Sequence, residues 1–128
     1  RARGNRKILG GGMRQAGVLA ACGIIALEKM TGRLREDHEN ARYLGEALAE
    51  IPGIVVDRDR IEINMVFWRP EIPGFAPDGF TAFMRGKNIK VGGMVGEKYR
   101  FVTHRDVSRA GIDRTVGALR DYIGTLST

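Results

Sequence analysis

Residues 9–15, Leu9-Gly10-Gly11-Gly12-Met13-Arg14-Gln15, constrain this chain more than any other stretch. Three adjacent glycines leave the backbone few steric limits and let its amides approach another group closely. They run into Met13 to Met30, a segment apolar nearly all round, with Ala16, Val18, Leu19, Ala20, Ala21, Ile24, Ile25, Ala26 and Leu27. A helix without a polar face is buried on most sides. Its small residues, Ala16, Gly17, Ala20, Ala21 and Gly23, would let other backbones come close. That is more burial than the rest of a 128-residue chain supplies, so another domain or subunit is expected against it. Glycines opening onto a helix N-terminus also suit an anion, because free N–H groups and the positive dipole end point outward. Lys7 and Arg14 flank them with two positive charges. Chemistry alone favours the plainer reading of a tight turn into a buried helix, since neither GxxxxGK[ST] nor GxGxxG is present.

The length is that of one ordinary domain, and 43% hydrophobic with 28% charged residues describe a globular, soluble chain. The net charge of +6 comes from 21 basic and 15 acidic residues. Arg1, Arg3, Arg6, Lys7 and Arg14 form a basic start that could touch nucleic acid, an acidic lipid surface or a partner. The single cysteine, Cys22, excludes an internal disulfide, suits a reducing compartment and reads as a small core residue. No apolar run is long enough to span a membrane. A start at Arg1-Ala2-Arg3, without Met or signal peptide, implies a chain that begins within a longer protein.

Thr31 is expected to cap a helix over Arg33 to Ile51, with Leu34, Ala41, Leu44, Leu48 and Ile51 on its apolar stripe. Arg33–Asp37, Arg35–Glu39 and Arg42–Glu46 are opposite charges four apart on its wet faces. His38 lies on a solvated face there and reads as a surface histidine. Pro52-Gly53 ends the helix. Ile54-Val55-Val56 is a strand, Asp57 to Arg60 a turn, and residues 61–68 a second strand with Ile61, Ile63, Met65 and Phe67 on one face. Val66 and Trp68 make its other face apolar at the far end, which predicts a central strand. Arg69 to Pro77 holds three prolines and reads as a loop. Asp78 is expected to cap a helix with Phe80, Phe83 and Met84 that ends near Lys87-Asn88. Ile89-Lys90-Val91 and residues 98–104 are strands, and Ser108 caps a last helix carrying Ile112, Val116, Leu119, Ile123 and Leu126. The order predicts an α+β domain: long helices, then a small, mainly antiparallel sheet with helices on one face.

In Tyr99-Arg100-Phe101-Val102-Thr103-His104-Arg105-Asp106, Arg100 points away from its aromatic neighbours. Its planar fork could grip a carboxylate, although spacing alone favours an exposed strand arginine. His104 has no evident nucleophile partner, and no set of metal ligands is readable.

Residues 6–21, beginning Arg6-Lys7-Ile8-Leu9-Gly10-Gly11-Gly12-Met13-Arg14-Gln15, resemble the segment that follows the cofactor lysine in low-specificity threonine aldolases. Leu34, Glu36-Asp37-His38-Glu39-Asn40-Ala41, Asn64-Met65-Val66 and residues 100–108 match that family in order. The resemblance covers essentially the whole chain. It implies the C-terminal small domain of a fold-type I (aspartate-aminotransferase type) pyridoxal-phosphate enzyme. Such an enzyme cleaves L-threonine or L-allo-threonine to glycine and acetaldehyde. It further implies that Lys7 and Arg14 lie near the cofactor phosphate, in their own or a neighbouring subunit's site, and that Arg100 binds the substrate carboxylate. Residues 1–30 would be a linker and buried helix from the large-domain side, and 31–128 the C-terminal α+β domain. The family's Schiff-base lysine stands in a Ser-Lys-Gly sequence, which this chain lacks. The aspartate on the pyridine nitrogen and the histidine stacked on the ring also belong to the absent part. This segment alone is therefore expected to be inactive, with no catalytic residue and no metal.

The expected partners are the rest of the enzyme and other subunits, as a homodimer or homotetramer, with a small amino-acid substrate, in the cytoplasm and without nucleic acid or membrane. The alternative is a small basic nucleic-acid-binding or oligomerisation module without catalysis, motivated by the charge and the apolar helix.

Overall fold

A computed structural model describes residues 1–126. The chain folds into two compact units, Arg1–Leu34 and the stretch from Arg35 onward.

In the first unit, α1 (Ala2–Ile8) ends at the triple glycine. The N–H of Gly10 donates to the Lys7 carbonyl at 3.2 Å and that of Gly11 to the Arg6 carbonyl at 2.7 Å, while Gly10 has φ of +80°. This pair of bonds around a left-handed residue is a Schellman closure, which satisfies the last carbonyls of a helix. The first two glycines thus finish one helix rather than open the next. A turn at residues 14–16 comes next, with Gln15 at φ +52°, before α2 (Gly17–Ile25) begins. The helical path continues through a π turn, Ala26–Met30, and a 3-10 turn, Thr31–Arg33. Thr31 does not cap the helix that begins at Leu34, because its hydroxyl donates back to the Leu27 carbonyl at 3.3 Å.

Within the first unit the apolar segment is not buried. Neither α1 nor α2 has a buried residue, Val18 is 73% and Leu27 73% exposed, and Cys22 is exposed rather than in a core. The physical reason is composition: a helix apolar on every side would need cover on every side.

The second unit is α+β. Helix α3 (Leu34–Ala49) buries Ala41, Leu44 and Leu48 as the periodicity predicts, and Ile51 just beyond it. Leu34, expected on that stripe, is 59% exposed. The buried line instead starts with Asp37 and Asn40, which lie one helical turn before Ala41 and Leu44. Arg35 and Glu39 form their ion pair at 2.8 Å. Gly53, at φ +81°, makes the turn into β1 (Ile54–Val56).

Strand β2 (Met65–Pro70) is central and antiparallel to both β1 and β3 (Tyr99–Val102). It starts four residues later than the alternation predicts. The 3-10 turn Arg58–Arg60 carries on into Ile61, whose N–H bonds back to Arg58. The Ile61 side chain lies against Gly45 of α3, where a Cβ would clash with it. Val66 and Trp68 supply the core face, while Met65 and Phe67 turn outward. Arg69 and Pro70 extend the strand into what the prolines mark as a loop.

Helix α4 (Pro77–Gly86) is entered from Ala76 with Pro77 in the first turn, so Asp78 sits inside the helix and is not its cap. Its end is a second Schellman closure: Asn88 (φ +57°) donates to Arg85, and Ile89 donates to Met84 at 2.9 Å. That closure overrides the strand expected at 89–91. The Ile89 N–H is committed to the helix, and Gly92-Gly93 follow too soon for a ladder. Helix α5 (Arg109–Leu126) is capped as expected, the Gly111 N–H donating to Ser108 Oγ at 3.2 Å. Ile112, Val116 and Leu119 are buried, and Ile123 and Leu126 pack at the margin. The core is aromatic: Trp68, Phe80, Tyr99 and Tyr122 join β2, β3, α4 and α5, all on one face of the sheet.

Candidate functional site

Lys7 lies in the last turn of α1, where positive charge complements the helix C-terminus. Its stem runs beside Gly12, where a Cβ would stand 3.5 Å from Lys7 Cγ. Arg14 sits in the turn between α1 and α2. Both are exposed, and neither has a hydrogen-bond or ion-pair partner among the described residues. The first unit therefore offers two available cations beside a closed glycine turn, not an amide cradle at a helix start.

Arg100 belongs to the second unit. In the β2–β3 register it stands opposite Phe67, on the sheet face away from the aromatic core. It is exposed and without a hydrogen-bond or ion-pair partner among the described residues. It borders a cleft of about 290 Å³ at the open edge of β3. Lys90 and Gly92 form part of one wall, and Leu44, Val102, Thr103 and Gly111 contribute to the rest. The cleft joins apolar walls to a few polar groups, the usual make-up of a small-molecule site.

Residues that spacing did not single out converge at the end of β3. Thr103 is fully buried, and its hydroxyl donates to the Asp37 carbonyl of α3 at 2.6 Å. Its N–H donates to the Asn64 carbonyl at 2.9 Å, and its own carbonyl accepts from Asn64 Nδ2 at 2.7 Å. Asn40 Nδ2 donates to the Val107 carbonyl at 3.4 Å. A signal for this node exists in the sequence: Asp37 and Asn40 are polar residues on the apolar stripe of an amphipathic helix. Buried polar groups of that kind are normally hydrogen-bonded.

Of the two histidines, His38 departs from the expected surface position and His104 is exposed. His38 is half-buried, and its Nε2 is shielded from solvent without a hydrogen-bond partner among the described residues. His104 is engaged within its own turn: Nδ1 accepts from the Asp106 N–H at 3.3 Å and lies 3.8 Å from the Asp106 carboxylate. Ser108 Oγ is occupied as a cap, and no group of metal ligands occurs among the described residues. No helix among the described residues is long and apolar enough to cross a membrane.

The second unit is thus α+β with an exposed strand arginine beside an edge cleft, and the first unit carries two exposed cations. The model of the beta-eliminating lyase family matches residues 1–70. The low specificity L-threonine aldolase of Escherichia coli K12 is 38% identical over 118 residues, covering 92% of this chain and 33% of that protein. Low-specificity L-threonine aldolase 1 of Arabidopsis thaliana is 33% identical over 94% of this chain and 34% of its own length. Aldolase vrtJ of Penicillium aethiopicum is 33% identical over 96% of this chain and 29% of its own length. The chain belongs to the beta-eliminating lyase family. It spans about a third of the length of the curated relatives it matches.

Proposed function

We propose that the complete protein is a pyridoxal-phosphate-dependent aldolase that cleaves L-threonine or L-allo-threonine to glycine and acetaldehyde, and that this segment supplies contacts to the two anionic groups involved. The observation that carries the reading is Arg100: an exposed guanidinium, with no protein partner among the described residues, at the rim of a cleft.

The cofactor, when bound, supplies an electron sink for cleavage next to the amino-acid α-carbon. The residues present fit its phosphate by donor type, since Lys7 and Arg14 are cationic and exposed. Of the five lysines, Lys98 is paired with Asp57 at 2.6 Å and Lys87 with Asp121 at 3.6 Å, while Lys7, Lys29 and Lys90 are exposed. A lysine that forms the covalent link to the cofactor needs a positioned amine, and its place on this reading is in the remainder of the protein. Arg100 would hold the substrate carboxylate through two parallel N–H donors, fixing the α-carbon relative to the cofactor. The apolar surface of α2 would be covered by the rest of the protein or by another subunit, as expected of a dimer or tetramer. On this reading the net charge of +6 meets phosphate and carboxylate groups and needs no nucleic acid.

The test is Arg100→Lys in the full-length protein with cofactor saturating. Replacing a bidentate fork by a point charge should weaken carboxylate binding by roughly 1–3 kcal/mol and raise the KM for threonine accordingly. The cofactor absorbance should not change. A KM within a factor of two of wild type would show that Arg100 does not hold the carboxylate.

A further inference from the structure

The geometry points to Thr103 as the residue that positions Arg100, an inference that rests on Arg100 being the carboxylate ligand. Strand β3 is four residues long and pairs on one side only, with β2, among the described residues. In an antiparallel pair, hydrogen-bonded and non-hydrogen-bonded positions alternate. The Thr103 N–H bonds to the Asn64 carbonyl, so the next positions along the register alternate from that point. Phe67 and Arg100 fall in a non-hydrogen-bonded pair, and the backbone of Arg100 has no ladder bond of its own to β2. Its place along the cleft is set by the residues that flank it.

On one side Tyr99 is buried and stacked on Trp68. On the other, Phe101 pairs with Val66, and at the end of the strand Thr103 has its N–H, its carbonyl and its hydroxyl all engaged, the first two by Asn64 and the last by Asp37 of α3. The hydroxyl bond ties this end of the strand directly to α3. Leu44 of α3, Thr103 and Arg100 line the same cleft, so that bond also sets the separation of its walls. A bidentate grip on a carboxylate tolerates displacements of only about 0.5 Å. Thr103 touches no reacting group; it acts through Arg100.

The experiment uses the full-length protein loaded with pyridoxal phosphate. Thr103→Val keeps the branched shape and removes the donor, and Thr103→Ser keeps the donor. Thr103→Val should raise the KM for threonine roughly tenfold, the effect of a misplaced charge-assisted contact. Its kcat and cofactor affinity should remain near wild type, and Thr103→Ser should restore KM to within a factor of two. Arg100→Lys should cost less in the Thr103→Val background than in wild type, because coupled residues are not additive. If Thr103→Val leaves KM within a factor of two while Arg100→Lys raises it, the positioning role is wrong and the carboxylate reading stands. If Arg100→Lys leaves KM unchanged, the carboxylate reading fails and the positioning role falls with it. Parallel loss of kcat, KM and cofactor affinity in Thr103→Val would assign Thr103 to fold maintenance alone. Should Thr103→Val fail to fold, Asn64→Ser removes the donor to the Thr103 carbonyl. For that variant, raised KM with retained kcat supports the role, and unchanged KM overturns it.

Discussion

The indole of Trp68 lies stacked on the phenol of Tyr99, centroids 4.6 Å apart and planes inclined by 19°, at a directly paired position of β2 and β3. Both rings are buried, and neither Trp68 Nε1 nor the Tyr99 hydroxyl has a hydrogen-bond partner among the described residues. Two buried donors without acceptors are unusual, since most such groups find a partner. Here the ring contacts hold the pair, and the polar atoms add nothing to it.

Burial pushes the Tyr99 phenol from its ordinary 10.0 up to about 12. The folded state favours the neutral phenol, so this contribution is complete below pH 10 and is lost as pH rises from about 10 through 12. Tyr99→Phe should remove that alkaline loss. At neutral pH it should be neutral or stabilising by about 1 kcal/mol, because an unsatisfied hydroxyl is deleted. Urea unfolding across pH 8 to 11.5 checks both, and a steeper alkaline loss in the variant would count against it.

The Schellman closure of α1 distinguishes its three glycines. Gly10→Ala forces a side chain into a left-handed conformation, at about 1–2 kcal/mol. A Cβ on Gly11 would stand 2.9 Å from the Arg6 carbonyl oxygen and 2.7 Å from Arg6 Cγ, and should be comparably costly. Gly12→Ala meets only ordinary contact and should cost less than about 0.5 kcal/mol. Unfolding of the full-length variants tests the order, and equal costs at all three would contradict the closure.

Lys98 donates to Asp57 at 2.6 Å, and that bond holds the Asp57 carboxyl below its ordinary 3.8. A lowered folded value gives stability that is present above pH 3.8 and lost as pH falls through the folded value. Lys98→Met should therefore lower stability modestly at pH 7, and that difference from wild type should shrink as the pH falls through the folded value, giving the variant a shallower acid limb. An acid limb identical to wild type would show the pair to be inert.

Arg14 should act on cofactor affinity rather than on turnover. Losing one charge-assisted hydrogen bond to phosphate costs about 1.5–3 kcal/mol, or roughly 10- to 150-fold in Kd. The measurement is a cofactor titration of Arg14→Ala in the full-length protein, and an unchanged Kd would remove Arg14 from the phosphate site.

Much of the second unit was legible because its signals are local. The stripe Ala41, Leu44, Leu48 is a 3.6 period, Ser108 is a capping side chain, and Ile54-Val55-Val56 comes after a helix stopped by Gly53. The central strand was legible too, from apolar residues on both of its faces. Arg100 was readable as a residue facing away from Tyr99 and Phe101 because alternation along a strand is strict.

What the tertiary structure decided were choices between backbone partners that local patterns leave equal. Ile89-Lys90-Val91 has the composition of a strand, but the Ile89 N–H closes α4 and cannot also join a ladder. Gly10-Gly11-Gly12 suits the start of one helix or the end of another, and the two carbonyls exposed at the end of α1 took the amides. Asp37 and Asn40 share the buried stripe of α3, but Asn64 and Thr103 lie far from them in the chain, so no period or motif joins the four. They meet because β3 must end against α3, where buried polar groups need one another.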